Sequence, residues 1–216
     1  MGIAERYEKV EEELAQECAL AGRGPKEVRL VAVSKTVGVE GVGEAYAAGA
    51  RDFGENRPDQ IVPKSQAFPD AHWHFIGNIQ SRRIRDIVDS ASLIHSVYQE
   101  KHARKIDEVA REKGIVQDIL LEVNIGGEEA KSGFAPEEVL AGAQAAAKRP
   151  HVRVQGLMTI PPADADRQEN LRYFQEVQAL YVDMNTKLFH NELKYLSMGM
   201  SGDYADAIRA GATMVR

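Results

Sequence analysis

Cysteine is nearly absent from this sequence: Cys18 stands alone among 216 residues. One thiol cannot close an internal disulfide, and the usage fits a reducing compartment. Long apolar runs are absent as well, so nothing approaches membrane-spanning length. An excess of positive charge is lacking: the net charge is -6, which argues against a nucleic-acid-binding domain. The first residues, "MGIAERYEKVEEE", are charged from the start and do not read as a signal peptide. Arg6 stands where a myristoylation signal requires Ser or Thr. Neither a Walker A pattern nor a dinucleotide fingerprint occurs, and "GVEGVGEAYAAG" does not satisfy the latter. A cytoplasmic protein is expected.

What is present is ordinary globular material, 44% hydrophobic and 28% charged. No linker, low-complexity tract or internal boundary breaks it, so residues 1–216 are expected to form one domain with an N-terminal helix at about 3–21. On that helix Ile3, Tyr7, Val10, Leu14 and Cys18 share one stripe, which makes Cys18 a packing position rather than a reactive thiol.

Eight strand-like segments follow: 28–36, 52–56, 72–77, 93–97, 118–125, 152–160, 194–200 and 212–216. Helix-like stretches alternate with them. One ends near Gly49, another at Gly114, a third opens with Pro136, and the longest carries Leu171, Phe174, Val177, Leu180 and Met184 at helical spacing. Alternation of this kind implies a parallel sheet. Eight units in a chain of this length match a (β/α)8 TIM barrel, with a doubly wound open sheet as the alternative. The count of eight and the polar residues at the strand ends favour the barrel.

Barrel sites form where strands end. The segments end in Ser34, Lys35 and Thr36; Glu55 and Asn56; His74 and Gly77; His95 and Ser96; Glu122 and Asn124; Met158 and Thr159; "SMGMSGD"; and Arg216. An apolar β-branched run that closes on Lys35 either lets a lysine reach water or delivers an amine to a site. Ser201, Gly202 and Asp203 precede a helix and can cap it or cradle an anion. A lysine at one strand end opposite a phosphate cradle is what pyridoxal 5'-phosphate (PLP) needs, with the amine forming a Schiff base. Arg216 would face the pyridine nitrogen. Because arginine stays charged, it would donate there and leave the ring unprotonated, a weak electron sink.

The motifs "AVSKT", "FGEN", "WHFIGNIQ", "EVNIGGEEAKSGF", "GLMTIPP", "LSMGMSGD" and "MVR" together resemble the pyridoxal phosphate homeostasis protein family (the YggS/PROSC group). The resemblance runs from residue 32 to the end. It implies a barrel of the alanine racemase N-terminal type (PLP fold type III) that binds PLP through Lys35. Phosphate contact by Ser201 and pyridine contact by Arg216 are implied too. Asn56, His74, Ser197, Met200 and Gly202 complete the expected cofactor surroundings. Family members are regarded as carriers or regulators of PLP, the active form of vitamin B6, and of amino-acid balance, without an established reaction; recipient PLP-dependent enzymes are the implied partners. They usually continue past the final arginine into a Gly-containing segment, so the expectation is a truncated chain or an incomplete phosphate site. Pro58 is unusual for the family and is expected to be tolerated at a helix N-terminus.

A carrier is preferred over an amino-acid racemase, because the resembling racemases take a second acid/base, a tyrosine, from an additional domain for which no residues follow the eighth strand. A pure interaction protein is the third class. His72 and His74 share a strand face, but no third ligand accompanies them and no metal is expected. "SRRIRD" lacks neighbouring aromatics and reads as a solvated helix face rather than an RNA contact. The glycines of "GGEEAKSGF" could allow a loop to move over the site. A monomer is expected.

Overall fold

A short β-branched segment, Val28 to Val33, sets the architecture by bonding to both of its neighbours in turn. In the computed structural model, which describes residues 2–216, Arg29–Leu30 (β1) and Ala32–Val33 (β2) form one strand interrupted at Val31. β1 pairs with the last strand, Met214–Val215 (β9), while β2 pairs with Asp52–Glu55 (β3). Val31 donates its amide to Val215 at 2.9 Å, and Ser34 donates to Gly54 at 2.9 Å. The sheet therefore closes on itself. Between these ends run His72–Phe75 (β4), Leu93–Val97 (β5), Gln117–Val123 (β6), Val152–Thr159 (β7) and Tyr195–Ser197 (β8), every pair parallel. Counting β1 and β2 as one position gives the eight strands of a (β/α)8 barrel.

Seven helices cross between these positions: Val39–Ala47 (α2), Pro58–Ala67 (α3), Ile84–Ser90 (α4), Glu100–Lys113 (α5), Val139–Ala147 (α6), Arg167–Leu188 (α7) and Tyr204–Arg209 (α8). The eighth place in the outer ring is filled from the other end of the chain. Ile3–Leu20 (α1) packs between α2 and α8. A methyl group at Gly41 of α2 would meet Ile3 at 2.8 Å, so the two helices touch closely there. On the other side Glu13 accepts from the Tyr204 hydroxyl at 3.1 Å, and Glu17 pairs with Arg209 at 2.8 Å.

Strand alternation sorts the core into two layers. Val31, Leu93, Leu120, Met158 and Met214 form an apolar cluster separate from the larger one, which takes in Phe53, Trp73, Phe75, Ile94 and Leu121. Trp73 stacks on Phe53 at 5.3 Å and donates its indole N–H to the carbonyl of Phe68 after α3, so the larger cluster joins sheet to helices and the smaller one fills the barrel. Cys18 is fully buried beside Leu14, as its place on the stripe predicts. In β7 the pairing with β6 slips one residue at Gly156, whose φ of +153° and lack of side chain are both required: a Cβ would lie 1.7 Å from the Tyr195 carbonyl oxygen.

The strands are shorter than hydrophobicity alone predicts. The first stops at Val33 instead of residue 36, the third at Phe75 instead of 77, and the seventh at Ser197 instead of 200. At the barrel rim turns take over the backbone bonds; Val37, for example, donates to Ser34 at 3.0 Å. Pro58 opens α3, where its missing N–H costs nothing. Gly114 ends α5 with φ +67°, whereas Ala48 caps α2 and Gly49 follows it. The basic stretch 81–86 is tied down by Arg83–Asp86 at 2.6 Å and by an Arg85–Glu112 pair.

Candidate functional site

Strand ends carry the site because parallel strands all deliver their C-terminal residues to one rim. There Lys35, Asn56, Met200, Ser201 and Arg216 line a cavity of about 700 Å³, with Gly77 in its wall. The cavity runs on towards α1, past Tyr7 and Leu14. Lys35 lies in the turn after β2, exposed, and makes no hydrogen bond or ion pair among the described residues.

The backbone below Lys35 is clamped from beneath. Lys64, on α3, donates to the Ser34 carbonyl at 2.9 Å and forms a short ion pair with Glu55 at the end of β3. Ser34 completes the triangle by donating its hydroxyl to the same Glu55 oxygen at 2.7 Å. Lys64 and Glu55 are both fully buried, so an ion pair removed from water sits directly under the Lys35 turn. Gly77 fixes the next wall: a Cβ there would lie 2.0 Å from the carbonyl oxygen of Asn56. The Asn56 side-chain oxygen is buried and has no partner among the described residues.

On the opposite side Arg216 donates to the Ser197 hydroxyl oxygen at 2.6 Å and to the Thr159 carbonyl at 3.1 Å. Burial pushes the guanidinium down to about 10, against the pull of Asp203 and Glu122, so it remains a cation at neutral pH. Glu122 shares the inward face of β6 with Leu120; burial raises its carboxyl to about 7, only partly opposed by Arg216.

Three expected site residues do not line the cavity: Gly202 is exposed beside it, and Ser197 and His74 stand behind it. Ser197 is buried between Arg216 and His95, whose Nδ1 lies 3.0 Å from its hydroxyl. His74 is buried inside the barrel, with His95 at 2.9 Å on one ring nitrogen and Asp52 at 2.9 Å on the other. A period-two strand puts His74 on the inward face; how deep it lies depends on strand stagger, which sequence does not display. His72 also approaches Asp52, at 3.5 Å.

The turn expected to cradle a phosphate differs in form from the predicted helix start. α8 starts at Tyr204 with Asp203 as its cap residue, so Ser201 precedes the helix by a turn. The Asp203 carboxylate accepts from the Met200 amide at 2.6 Å and holds that turn. Ser201 and Gly202 are exposed, and their amides and the Ser201 hydroxyl have no partner among the described residues. Gly202 is not packed against anything: a Cβ there would meet no atom within 4 Å.

Lys64 and Asp52 escape sequence reasoning. Lys64 carries a usable signal, since it falls between Ile61 and Phe68 at helical spacing on an otherwise apolar stripe. The loop after β6 is held by Asn124, which bonds Glu128 at 2.8 Å, and by Lys131, which bonds the Pro161 carbonyl at 3.1 Å.

The family model "Alanine racemase, N-terminal domain" matches residues 9–216. A pyridoxal phosphate homeostasis protein of Aquifex aeolicus is 38% identical over 218 residues, covering 100% of this chain and 95% of the relative. Its namesake in Pseudomonas aeruginosa is 42% identical, covering 99% of this chain and 92% of the relative. Among solved structures, PipY of Synechococcus elongatus PCC7942, determined with PLP bound, is 32% identical with a TM-score of 0.82, covering 94% of this chain and 96% of that one.

Proposed function

Since the chain belongs to the alanine racemase N-terminal domain family, and within it to the pyridoxal phosphate homeostasis proteins, we propose that it binds PLP at the barrel mouth and holds it for release to other proteins. The observation that carries this reading is that one cavity is lined by the unpartnered Lys35 amine, the unpartnered amide and hydroxyl of Ser201, and the Arg216 guanidinium held by Ser197 and Thr159, with the unpartnered Gly202 amide next in the chain. PLP would supply an aldehyde that condenses reversibly with a primary amine. The donor set fits that molecule: Lys35 would take the aldehyde, the amides and hydroxyl around Ser201 and Gly202 would hold the phosphate, and Arg216 would hold the pyridine nitrogen. The partnerless Asn56 oxygen is a further polar group with an unmet bond in the same cavity.

Each residue has a task that follows from its surroundings. The Lys64–Glu55 pair anchors the Ser34 backbone, so the Lys35 turn keeps its place while the exposed amine is left without a partner among the described residues. Arg216 stays a cation at neutral pH, so it would donate to the ring nitrogen and disfavour a pyridinium. Met200 is exposed at the rim, Ser197 props Arg216 from behind, and His74 props Ser197 through His95. An open rim lets an incoming amine, free or on a recipient enzyme, reach Lys35. That favours carriage over racemisation, which needs a second acid/base across from the lysine. A cytoplasmic, monomeric carrier is part of the proposal; no helix among the described residues is long and apolar enough to cross a membrane.

The test is the visible spectrum of the protein with added PLP, for wild type and Lys35→Ala, followed by borohydride reduction and peptide mapping. A band lost in the variant, with pyridoxyl fixed on the Lys35 peptide, is the expected result. Label spread over surface lysines would refute the site. Racemase turnover clearly above that of free PLP would refute carriage as the sole role.

A further inference from the structure

Ser197, His95, His74 and Asp52 form a file of polar groups through a barrel interior that also holds the apolar cluster of Val31, Leu93, Leu120, Met158 and Met214. We propose that this file is a one-way chain of hydrogen bonds that positions the Arg216 guanidinium, making Asp52, His74 and His95 positioning residues for the cofactor's pyridine end. The role of Arg216 rests on the function proposed above; the chain itself does not.

Its direction follows from its two ends. Arg216 has only donors to offer, and an ionised Asp52 only acceptors. Burial works against the Asp52 carboxylate, yet the bond from His74 and the Arg29 guanidinium at 3.1 Å hold it below the ordinary range. Ser197 accepts from Arg216 at 2.6 Å and owns a single hydrogen, which can go only to His95 Nδ1 at 3.0 Å. His95 must then carry its proton on Nε2 and donate to His74 Nδ1 at 2.9 Å. His74 in turn carries its proton on Nε2 and donates to Asp52 at 2.9 Å. One tautomer of each ring satisfies every member.

The competing state has a proton on His74. His74 would then donate to His95, His95 to Ser197, and the Ser197 hydroxyl hydrogen would be left without a partner in a buried place. Burial disfavours the charge on both rings, most strongly at His95, where His74 and Arg216 add to the effect. The groups facing the file from outside are Arg29 at 3.1 Å and His72 at 3.5 Å from Asp52, Tyr7 on α1, and Glu122 and Asp203 around Arg216. A neutral pair of rings thus presents the Ser197 oxygen, with its hydrogen pointing away, to the guanidinium. Asp52 lies at the N-terminal end of β3, so the arginine at the mouth is oriented from the far end of the barrel.

The test uses imidazole nitrogen NMR on the wild-type protein without PLP, where chemical shifts identify the protonated nitrogen. Both His74 and His95 are expected as neutral Nε2–H tautomers from pH 6 to 8. An Nδ1–H tautomer or an imidazolium on either ring overturns the chain. The second arm compares Asp52→Ala with Asp52→Asn, which keeps an acceptor. Asp52→Ala is expected to mix the His74 tautomers and raise the PLP dissociation constant about three- to tenfold, the worth of one hydrogen bond. Asp52→Asn should restore both readings. Unchanged affinity and absorption in Asp52→Ala overturn the positioning role. A wild-type protein that never loads PLP on Lys35 would instead refute the proposed function, and the tautomers would still decide for or against the chain.

Discussion

Replacing Lys64 by methionine is expected to cost more than any other single polar change near the site. The ammonium holds two partners, the Glu55 carboxylate and the Ser34 carbonyl at 2.9 Å, and both charged groups are fully buried. Without it Glu55 keeps one donor, the Ser34 hydroxyl at 2.7 Å, while its second oxygen already lacks a partner among the described residues. Breaking a buried pair from one side costs about 3–5 kcal/mol. That is a large share of the roughly 5–15 kcal/mol that stabilises a typical protein, and for a chain of this size it lowers Tm by about 6–20 °C. Thermal and urea unfolding of Lys64→Met, Glu55→Gln and the double variant would measure it. The double variant should lose less than the sum of the singles by about 0.5–3 kcal/mol, because the second change removes the stranded charge. Strict additivity, or a Lys64→Met cost below about 1 kcal/mol, would refute the claim that this pair anchors the Lys35 turn.

Gly77→Ala should destabilise by about 1–3 kcal/mol or more, because its Cβ would press on the Asn56 backbone 2.0 Å away; an unfolding midpoint equal to wild type would contradict that packing. Glu122, raised from 4.5 to about 7 by burial, binds a proton more tightly folded than unfolded. Stability conferred below about pH 4.5 is therefore lost as pH rises through about 7, and Glu122→Gln should lack that loss; parallel pH profiles for the two proteins would refute it. Cys18 is fully buried and its thiol is pushed up by burial, so a thiol reagent should modify it only as fast as the protein opens. Rapid labelling under native conditions would show that α1 detaches from α2 and α8.

Much of this protein is written locally. Alternation of β-branched runs with amphipathic stretches is a short-range property, so eight strand positions, a parallel sheet and the list of strand-end residues follow from the chain alone. Lys35, Asn56, Met200, Ser201 and Arg216 could be gathered in advance because parallel strands all end on one rim. Depth and distant pairing could not. His74 and Ser197 share the inward-facing pattern of residues that reach the cavity, and only the stagger of the closed barrel leaves them behind it, joined through His95. Lys64 is adjacent to nothing chemical in sequence; its partner Glu55 lies nine residues away, and the two meet only when α3 folds back on β3. α1 is legible as an amphipathic helix, but its place as the eighth member of the ring is decided by the gap that β9 and β1 leave when they pair. Residue types and periodicity state what each segment can do, whereas closure of the barrel decides which groups lose water together and so must satisfy one another.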